Sequence, residues 1–480
     1  MVHRAAGLDD ALEPAELMAL AVRAALTDAG LGALQDIPVL RVVSLLSWRY
    51  RDPARFVAQH AGLRVGRTGL TTNGGNSPQT LVNATARQIQ AGELDLAVLT
   101  GGEAFRTRMR ARRTGDMLPW PAVPEEVAPD ELLGEDLVMN HPHERDRQIM
   151  MPVQIYPMFE TALRAEAGRS VEEHQVFLSE LWARFSAVAA ANPYAWVRDA
   201  LTAEQIRTTG TSNRMIGFPY PKYMNSNNDV DMSAALVMCS AERAEALGIP
   251  RDRWVFVRSG TDCHEHPFVS NRHSFTRTPA IEIGGRTALE LAGLGIDDVD
   301  LVDLYSCFPS AVQLGARSLG LDLDRQLTRT GGLPFAGGPW NNYVMHSIAT
   351  VARELREGVG RTGLVWANGG YATKHAFGVY STEPPASGFG YAYPQDQVDA
   401  LPRRELALPT EVSGDVTIEA YSVMHTREGE PERALATCLL ADGRRAWGTS
   451  DDVGLATAMC TGEWVGTRAR VDHEGTLLVG

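Results

Sequence analysis

The 480-residue chain is short of disulfide-forming cysteine, of long apolar runs and of lysine. Its five cysteines, Cys239, Cys263, Cys307, Cys438 and Cys460, are an odd number without paired spacing, which argues against a disulfide framework and predicts five reduced thiols. No stretch approaches the ~20 uninterrupted apolar residues of a membrane helix, and Met1 to Leu17 contain no apolar leader core. The expectation is a cytoplasmic protein without membrane insertion. Of 45 Lys and Arg residues only Lys222 and Lys374 are lysine. Arginine is a rigid fork that stays charged, whereas a buried lysine can shed its proton, so either the two lysines mark positions arginine cannot fill or they survive by chance. A net charge of -14 disfavours nonspecific binding to nucleic acid, although it leaves room for a local basic pocket.

What is present is a βαβ rhythm in a chain long enough for two to four packed units. Leu12 to Ala29 reads as an amphipathic helix stopped by Gly30, Val39 to Leu46 as a buried strand, Ser77 to Gln90 as a helix and Leu94 to Leu99 as a strand. Residues 104 to about 224 break the rhythm. They hold an arginine run (Arg106, Arg108, Arg110, Arg112, Arg113), a proline-rich loop from Pro119 to Pro129, and helices around Tyr156 to Ala167 and Val171 to Ala190. The alternation then resumes with strand Trp254 to Gly260, helix Ala280 to Ala292, strand Val299 to Tyr305, helix Ser310 to Leu319, helix Asn342 to Glu357 and strand Gly363 to Ala367. From Ser381 to Pro409 a Pro/Gly/Tyr/Ser-rich stretch reads as a linker. Short strands beyond it suggest a small β-barrel or OB-like unit, and its lack of a basic aromatic face disfavours nucleic acid.

Four segments carry a family resemblance. Gly331-Gly332-Leu333-Pro334-Phe335-Ala336-Gly337-Gly338-Pro339 resembles the GGxxxxGHP signature of thiolases with Gly338 where the histidine belongs. Asp303 to Phe308 is similar to the HDCF segment of sterol-carrier-type thiolases, with Tyr305 for the histidine. Trp366-Ala367-Asn368-Gly369-Gly370 resembles the strand end bearing the second catalytic cysteine, with Ala367 in its place. Gly75 to Val82, followed by Gly101-Gly102-Glu103, is similar to the start of the nucleophile helix, with Gly75 on the nucleophile. The resemblance runs to about residue 385 and is nearest to thiolase-like proteins with an extra C-terminal domain.

This resemblance implies a duplicated thiolase fold: two βαβαβαββ halves in five αβαβα layers, at 1–246 and 247–385. It adds a loop domain at about 104–224, a linker at 386–410 and a β domain at 411–480. A thiolase opens with a strand, expected here at the centre of the first sheet. None precedes the first helix, so a late start is favoured over a missing central strand, which would strand backbone groups on both neighbours.

Gly75, Tyr305, Gly338 and Ala367 leave neither thiolate nor base at the family's catalytic positions, so condensation or thiolysis through an acyl-cysteine is not expected. Remaining candidates for chemistry are Tyr305, Cys307, Tyr343, Lys374 and His375, with Asn341, Asn342 and His346 nearby. Lys374 and His375 side by side would depress each other's pKa if partly buried; a surface histidine is the plain alternative. Arg106, Arg108 and Arg110 could meet the phosphates of coenzyme A, unless they form a solvated helix face. Asn225, Asn227 and Asn368 suit gripping a pantetheine arm, although asparagines equally suit a turn. Cys263-His264-Glu265-His266 with His273 has no zinc-site spacing, so no metal is expected.

Three functions follow from the resemblance. The first is an acyl-CoA acyltransferase of lipid or sterol metabolism, resembling acetyl-CoA acetyltransferases. The second is a retro-aldol lyase on a CoA thioester using tyrosines. The third is a non-catalytic CoA-thioester or partner-binding protein. Each takes coenzyme A or acyl-CoA as ligand, none implies nucleic acid, and the chain is expected as a monomer or homodimer.

Overall fold

The computed structural model describes residues 1–121, 127–412 and 414–479. Residues 122–126 of the proline-rich loop lie outside the described residues. The first half holds β1 (Asp36–Val42), β2 (Arg64–Thr71), β3 (Leu96–Ala104) and β4 (Glu131–Leu133). After the short β5 (Met215–Phe218) and β6 (Tyr220–Pro221), β7 (Asp231–Cys239) returns to the same sheet, whose order is β4-β2-β1-β3-β7. The second half holds β8 (Phe256–His264), β9 (Leu301–Leu304), β10 (Thr362–Gly369), β11 (Lys374–Ser381) and β12 (Gly390–Ala392), in the order β12-β8-β11-β10-β9. In each half the last long strand is antiparallel to its neighbours, β7 to β3 and β11 to both β10 and β8, which is the repeat expected of a duplication.

The expected central strand is corrected by these pairings. β1 and β3 pair directly from Val39–Ala97 to Val42–Thr100, so no interior backbone groups are stranded. Residues 1–3 lie along the free side of β7, with Val2 opposite Met232, at the edge that β8 occupies beside β11 in the second half. An edge tolerates sparse pairing because its other side meets water. The opposite edge, β2, is covered by β4 through Gly69–Glu131 to Thr71–Leu133.

Helix Ser77–Gln90 lies between the two sheets and matches its expected bounds. Its polar groups reach both: Thr85 accepts from Arg41 of β1 at 2.7 Å, while Thr80 and Asn83 donate to Asp262 of β8 at 2.5 and 2.8 Å. The helix's polar side chains are thus satisfied on both sheets, which sets its rotation as well as its depth. Helix Tyr343–Arg356 shares this layer. Above it, helices Pro152–Glu166 and Val171–Ala191 are tied to helix Pro309–Leu319 through buried Glu160, which meets His174 and Gln313 at 2.7 Å and Tyr220 at 2.5 Å.

The stretch expected as a linker has structure of its own, since β12 extends the second sheet and Gln395–Asp399 is helical. β13 (Gly414–His425), β14 (Pro431–Leu439), β15 (Arg445–Ser450), β16 (Arg468–Val471) and β17 (Leu477–Leu478) follow in the order β15-β14-β13-β16-β17. A Thr449–Thr476 bridge brings the two ends of this sheet together. It is not a detached appendage: β5 from the loop region pairs with β13, and Arg445 enters the main body fully buried. One edge of that guanidinium meets Glu419 at 2.8 Å, and the other donates to the carbonyls of Ser270 at 2.8 Å and Arg272 at 2.5 Å. Removing one partner of such a pair strands the other, so Arg445→Met should cost about 3–5 kcal/mol. Chemical denaturation and limited proteolysis check this, with cleavage expected at the junction of the C-terminal sheet before elsewhere.

Candidate active site and its neighbouring cleft

Asn73-Gly74-Gly75-Asn76 leads into helix Ser77–Gln90 and carries the lost nucleophile position. Three contacts fix the loop. Asn341 accepts from the Gly74 amide at 3.1 Å and donates to Asn73 Oδ1 at 3.2 Å, while Lys374 Nζ donates to Asn73 O. A β-carbon on Gly75 would lie 2.5 Å from Tyr305 Oη and would overlap the carbonyl oxygen of Asn368. The tyrosine that replaces the HDCF histidine therefore takes the volume of the missing nucleophile. The same happens at the second position: a β-carbon on Gly338 would overlap Ser226 Oγ and stand 2.8 Å from Asn228 Oδ1. Ser226 donates to Asn228 at 2.8 Å, and the Gly338 amide donates to Asn227 O at 2.8 Å. The third, Ala367, is fully buried on β10.

The groups expected to do chemistry are packed away from solvent. Tyr305 stands edge-on to Tyr343, with ring centroids 5.7 Å apart, and burial pushes both phenols upward from their ordinary pKa. Tyr343 Oη shares a hydrogen bond with Thr330 at 2.6 Å. Asp303 fixes that partner by accepting from the Arg329 amide at 2.7 Å and the Thr330 amide at 3.2 Å, a role the sequence motif contained but did not disclose. Burial raises the Cys307 thiol to about 12, so it is not a thiolate at neutral pH. His346, one turn beyond Tyr343, is pushed well below the ordinary histidine range by burial.

Lys374 and His375 do not share a site. Adjacent residues of a strand face opposite ways, and here Lys374 reaches the Gly74 loop while His375 accepts from Trp366 Nε1 at 3.3 Å on the other face of the sheet. His375 is not a surface residue: burial first, and Arg272 second, lower it to about 3 and leave it neutral. So low a value makes it a weak base near pH 7. Cys263 donates from Sγ to Ala280 O, and among the described residues no group of His, Cys, Asp or Glu is placed to hold a metal ion.

Beside the loop opens a cleft of about 620 Å³ lined by Trp48, Arg49, Tyr50, Arg51, Asn73 and Arg108, among others. Of the three arginines expected at the nucleotide, only Arg108 reaches it. Arg106 is paired with Asp229 at 2.8 Å, and Arg110 donates to Ala6 O at 3.1 Å. The expected pantetheine-gripping asparagines lie elsewhere: Asn225 holds Pro221 O at 2.8 Å, Asn227 caps Asp229 at 3.3 Å, and Asn368 donates to Tyr156 Oη at 2.8 Å. The residues missed, Arg49 and Arg51, alternate with aromatics in Trp48-Arg49-Tyr50-Arg51, a pattern visible in the sequence.

Glu103, at the end of β3, holds this cleft's wall. Its carboxyl accepts from the backbone amides of Leu46 and Ser47, each at 2.7 Å, and burial pushes its pKa up to about 7. A folded-state pKa above the unfolded one means that the folded state binds the extra proton. Stability is then greatest below about pH 4.5 and is lost as pH rises through 7, by on the order of 3 kcal/mol from this group. Glu103→Gln should remove that slope while lowering stability overall, since an amide accepts only one of the two bonds. Urea unfolding at pH 5 and 7.5 compares the slopes. A second expectation concerns Gly75: Gly75→Ala should destabilise by on the order of 3 kcal/mol through overpacking. Tyr305→Ala in the same chain should recover only part of it in a thermal melt, because the Asn368 carbonyl remains.

Comparison with known proteins bears on the family and the fold. Residues 394–476 match the thiolase-like protein type 1 additional C-terminal domain. An acetyl-CoA acetyltransferase of Methanothermobacter thermautotrophicus is 26% identical over 216 residues, covering 39% of this chain and 54% of that protein. The benzoylsuccinyl-CoA thiolase subunit BbsB of Thauera aromatica is 29% identical over 136 residues, or 28% and 32% of the two lengths. The chain thus spans about half or less of these curated relatives. Among solved structures, the Ltp2-ChsH2(DUF35) aldolase aligns over 78% of this chain and 94% of its own with a TM-score of 0.58 and 18% identity, a likeness of fold alone. A monomeric SCP2-thiolase-like protein type 1 from Mycobacterium smegmatis aligns over 100% of this chain and 97% of its own, with a TM-score of 0.83 and 30% identity. The chain belongs to the thiolase superfamily, with the type 1 thiolase-like proteins that carry an additional C-terminal domain.

Proposed function

We propose that this protein is a monomer that binds a CoA thioester in the Arg49-Arg51-Arg108 cleft and forms no acyl-cysteine. The observation that carries the reading is the occupation of two of the lost catalytic positions, Gly75 by the Tyr305 phenol and Gly338 by the Ser226-Asn228 pair. The ligand class is supported by two relatives, one an acetyl-CoA acetyltransferase and one a benzoylsuccinyl-CoA thiolase subunit. Guanidiniums suit phosphate oxygens, and the half-buried Trp48 offers a ring to an adenine. The monomer is supported by the coverage of the β2 edge by β4 and by the monomeric type 1 relative.

The acyltransferase reading loses His375, which is neutral and faces away from the loop, and Cys307, which is protonated, and keeps only Lys374 beside the loop. The lyase reading retains one support: a buried, protonated Tyr305 phenol at the nucleophile's place can donate a proton, though burial keeps it from serving as a base.

Calorimetric titration with coenzyme A and with acetyl-CoA tests the proposal. Saturable binding is expected, weakened about tenfold or more in the Arg49→Ala/Arg108→Ala protein through the loss of about 1.4 kcal/mol or more. Binding unchanged in that variant would move the site elsewhere, and no saturation would remove the ligand class. Tyr305→Phe should bind as the parent does, and a lyase would reveal itself on incubation with a 3-hydroxyacyl-CoA by a carbon-carbon cleavage product that this substitution abolishes.

A further inference from the structure

The two lysines of this chain sit in opposite environments. Lys222, in the turn Lys222–Met224, is exposed. Lys374 opens β11 and is 4% exposed. Its Nζ donates to Asn73 O, and a β-carbon on Gly74 would stand 2.8 Å from that nitrogen. The amine therefore lies against the residue just before Gly75, on the loop where the superfamily keeps its thiol. Asn73 is also part of the wall of the 620 Å³ cleft, so one residue separates the amine from the space assigned to the thioester. Arginine in this place would have no lone pair to offer at any pH a protein meets, which gives a physical reason for lysine here in a chain that otherwise uses arginine.

We propose that Lys374 is an acyl-acceptor site, modified by the CoA thioester that the cleft holds. The inference rests on the thioester reading of that cleft. The lone pair of the neutral amine attacks the thioester carbonyl carbon. A carbon-nitrogen bond forms, the carbon-sulfur bond breaks, and the departing CoA thiolate takes up the proton that nitrogen releases. The products are an N-acyl-lysine and free CoA, with no oxidant, metal or second substrate. Burial favours the reactive neutral form by lowering the Lys374 pKa, against the opposing pull of Asp136 and Glu135. The amide is stable, so the event happens once per chain. It removes a positive charge beside two carboxylates and leaves Nζ a single N–H to offer Asn73 O, so the loop entering helix Ser77–Gln90 would register that thioester had been bound.

The test is incubation of the full-length protein with acetyl-CoA, read by intact mass, peptide mapping and thiol release, with Lys222 as control within the same molecule. We expect one acetyl group on Lys374, added faster than on Lys222, because Lys374 lies against the loop beside the cleft and its burial favours the neutral amine. One CoA thiol should be released per acetyl group. Lys374→Arg should lose the adduct, and Arg49→Ala/Arg108→Ala should slow labelling at Lys374 and leave Lys222 unchanged. Calorimetric binding of acetyl-CoA with Lys374 unmodified, or with Lys222 modified equally fast, would overturn the proposal. If calorimetry shows no binding, the thioester reading falls separately and 4-nitrophenyl acetate, which needs no CoA pocket, decides. Preferential labelling of Lys374 would keep it as an acyl acceptor, and labelling of Lys222 alone would overturn it.

Discussion

The contact between the Tyr305 phenol and Gly75 is the constraint on which the rest of the site depends. A side chain of any kind at residue 75 would collide with the phenol and with the backbone carbonyl of Asn368. Glycine is therefore required by packing, quite apart from chemistry, and the nucleophile could not return without moving Tyr305. Moving Tyr305 would in turn disturb its edge contact with Tyr343, whose hydroxyl is held by Thr330, itself oriented by Asp303. The site has lost its catalytic groups and filled the space with side chains that support one another. Close-packed interiors resist piecemeal reversal of this sort.

The fold survives that change because its stability lies elsewhere. Helix Ser77–Gln90 is locked between two sheets by Arg41 on one side and Asp262 on the other, and neither bond involves the former catalytic positions. Arg445 likewise joins the C-terminal sheet to the second half at a distance from the Gly75 loop. Scaffold and chemistry are separable here in physical terms, so a family assignment carries the fold further than it carries a reaction. What remains open to ligand is the cleft on the near side of the loop, whose wall is braced by a carboxyl group titrating about pH 7.

The sequence made the duplicated architecture legible because helical periodicity and motif order survive substitution. Helix Ser77–Gln90 was bounded by Asn76 and Ala91 as its pattern implied, and the second-half helices fall within a few residues of their expected ends. β11 was not legible as a strand: Lys-His at its start and Gly378 within it hide a segment that is buried on both faces. The arginine run misled for a related reason, since a helix distributes alternate residues over different faces and only Arg108 turned toward the cleft. The Lys374-His375 pair failed by strand alternation, which separates adjacent side chains more surely than distance along the chain suggests. The back-filling of Gly75 and Gly338 was beyond reach, because it is a contact between segments more than a hundred residues apart.

The central claim is that no acyl-cysteine forms at the former catalytic centre. The most direct measurement is exchange of labelled coenzyme A into acetyl-CoA, the partial reaction that any reversible acyl-thiol intermediate must catalyse. The account predicts no exchange above the protein-free rate, since a lysine amide does not return its acyl group to a thiol. Sustained exchange over many equivalents per chain, abolished by Cys307→Ser, would contradict it.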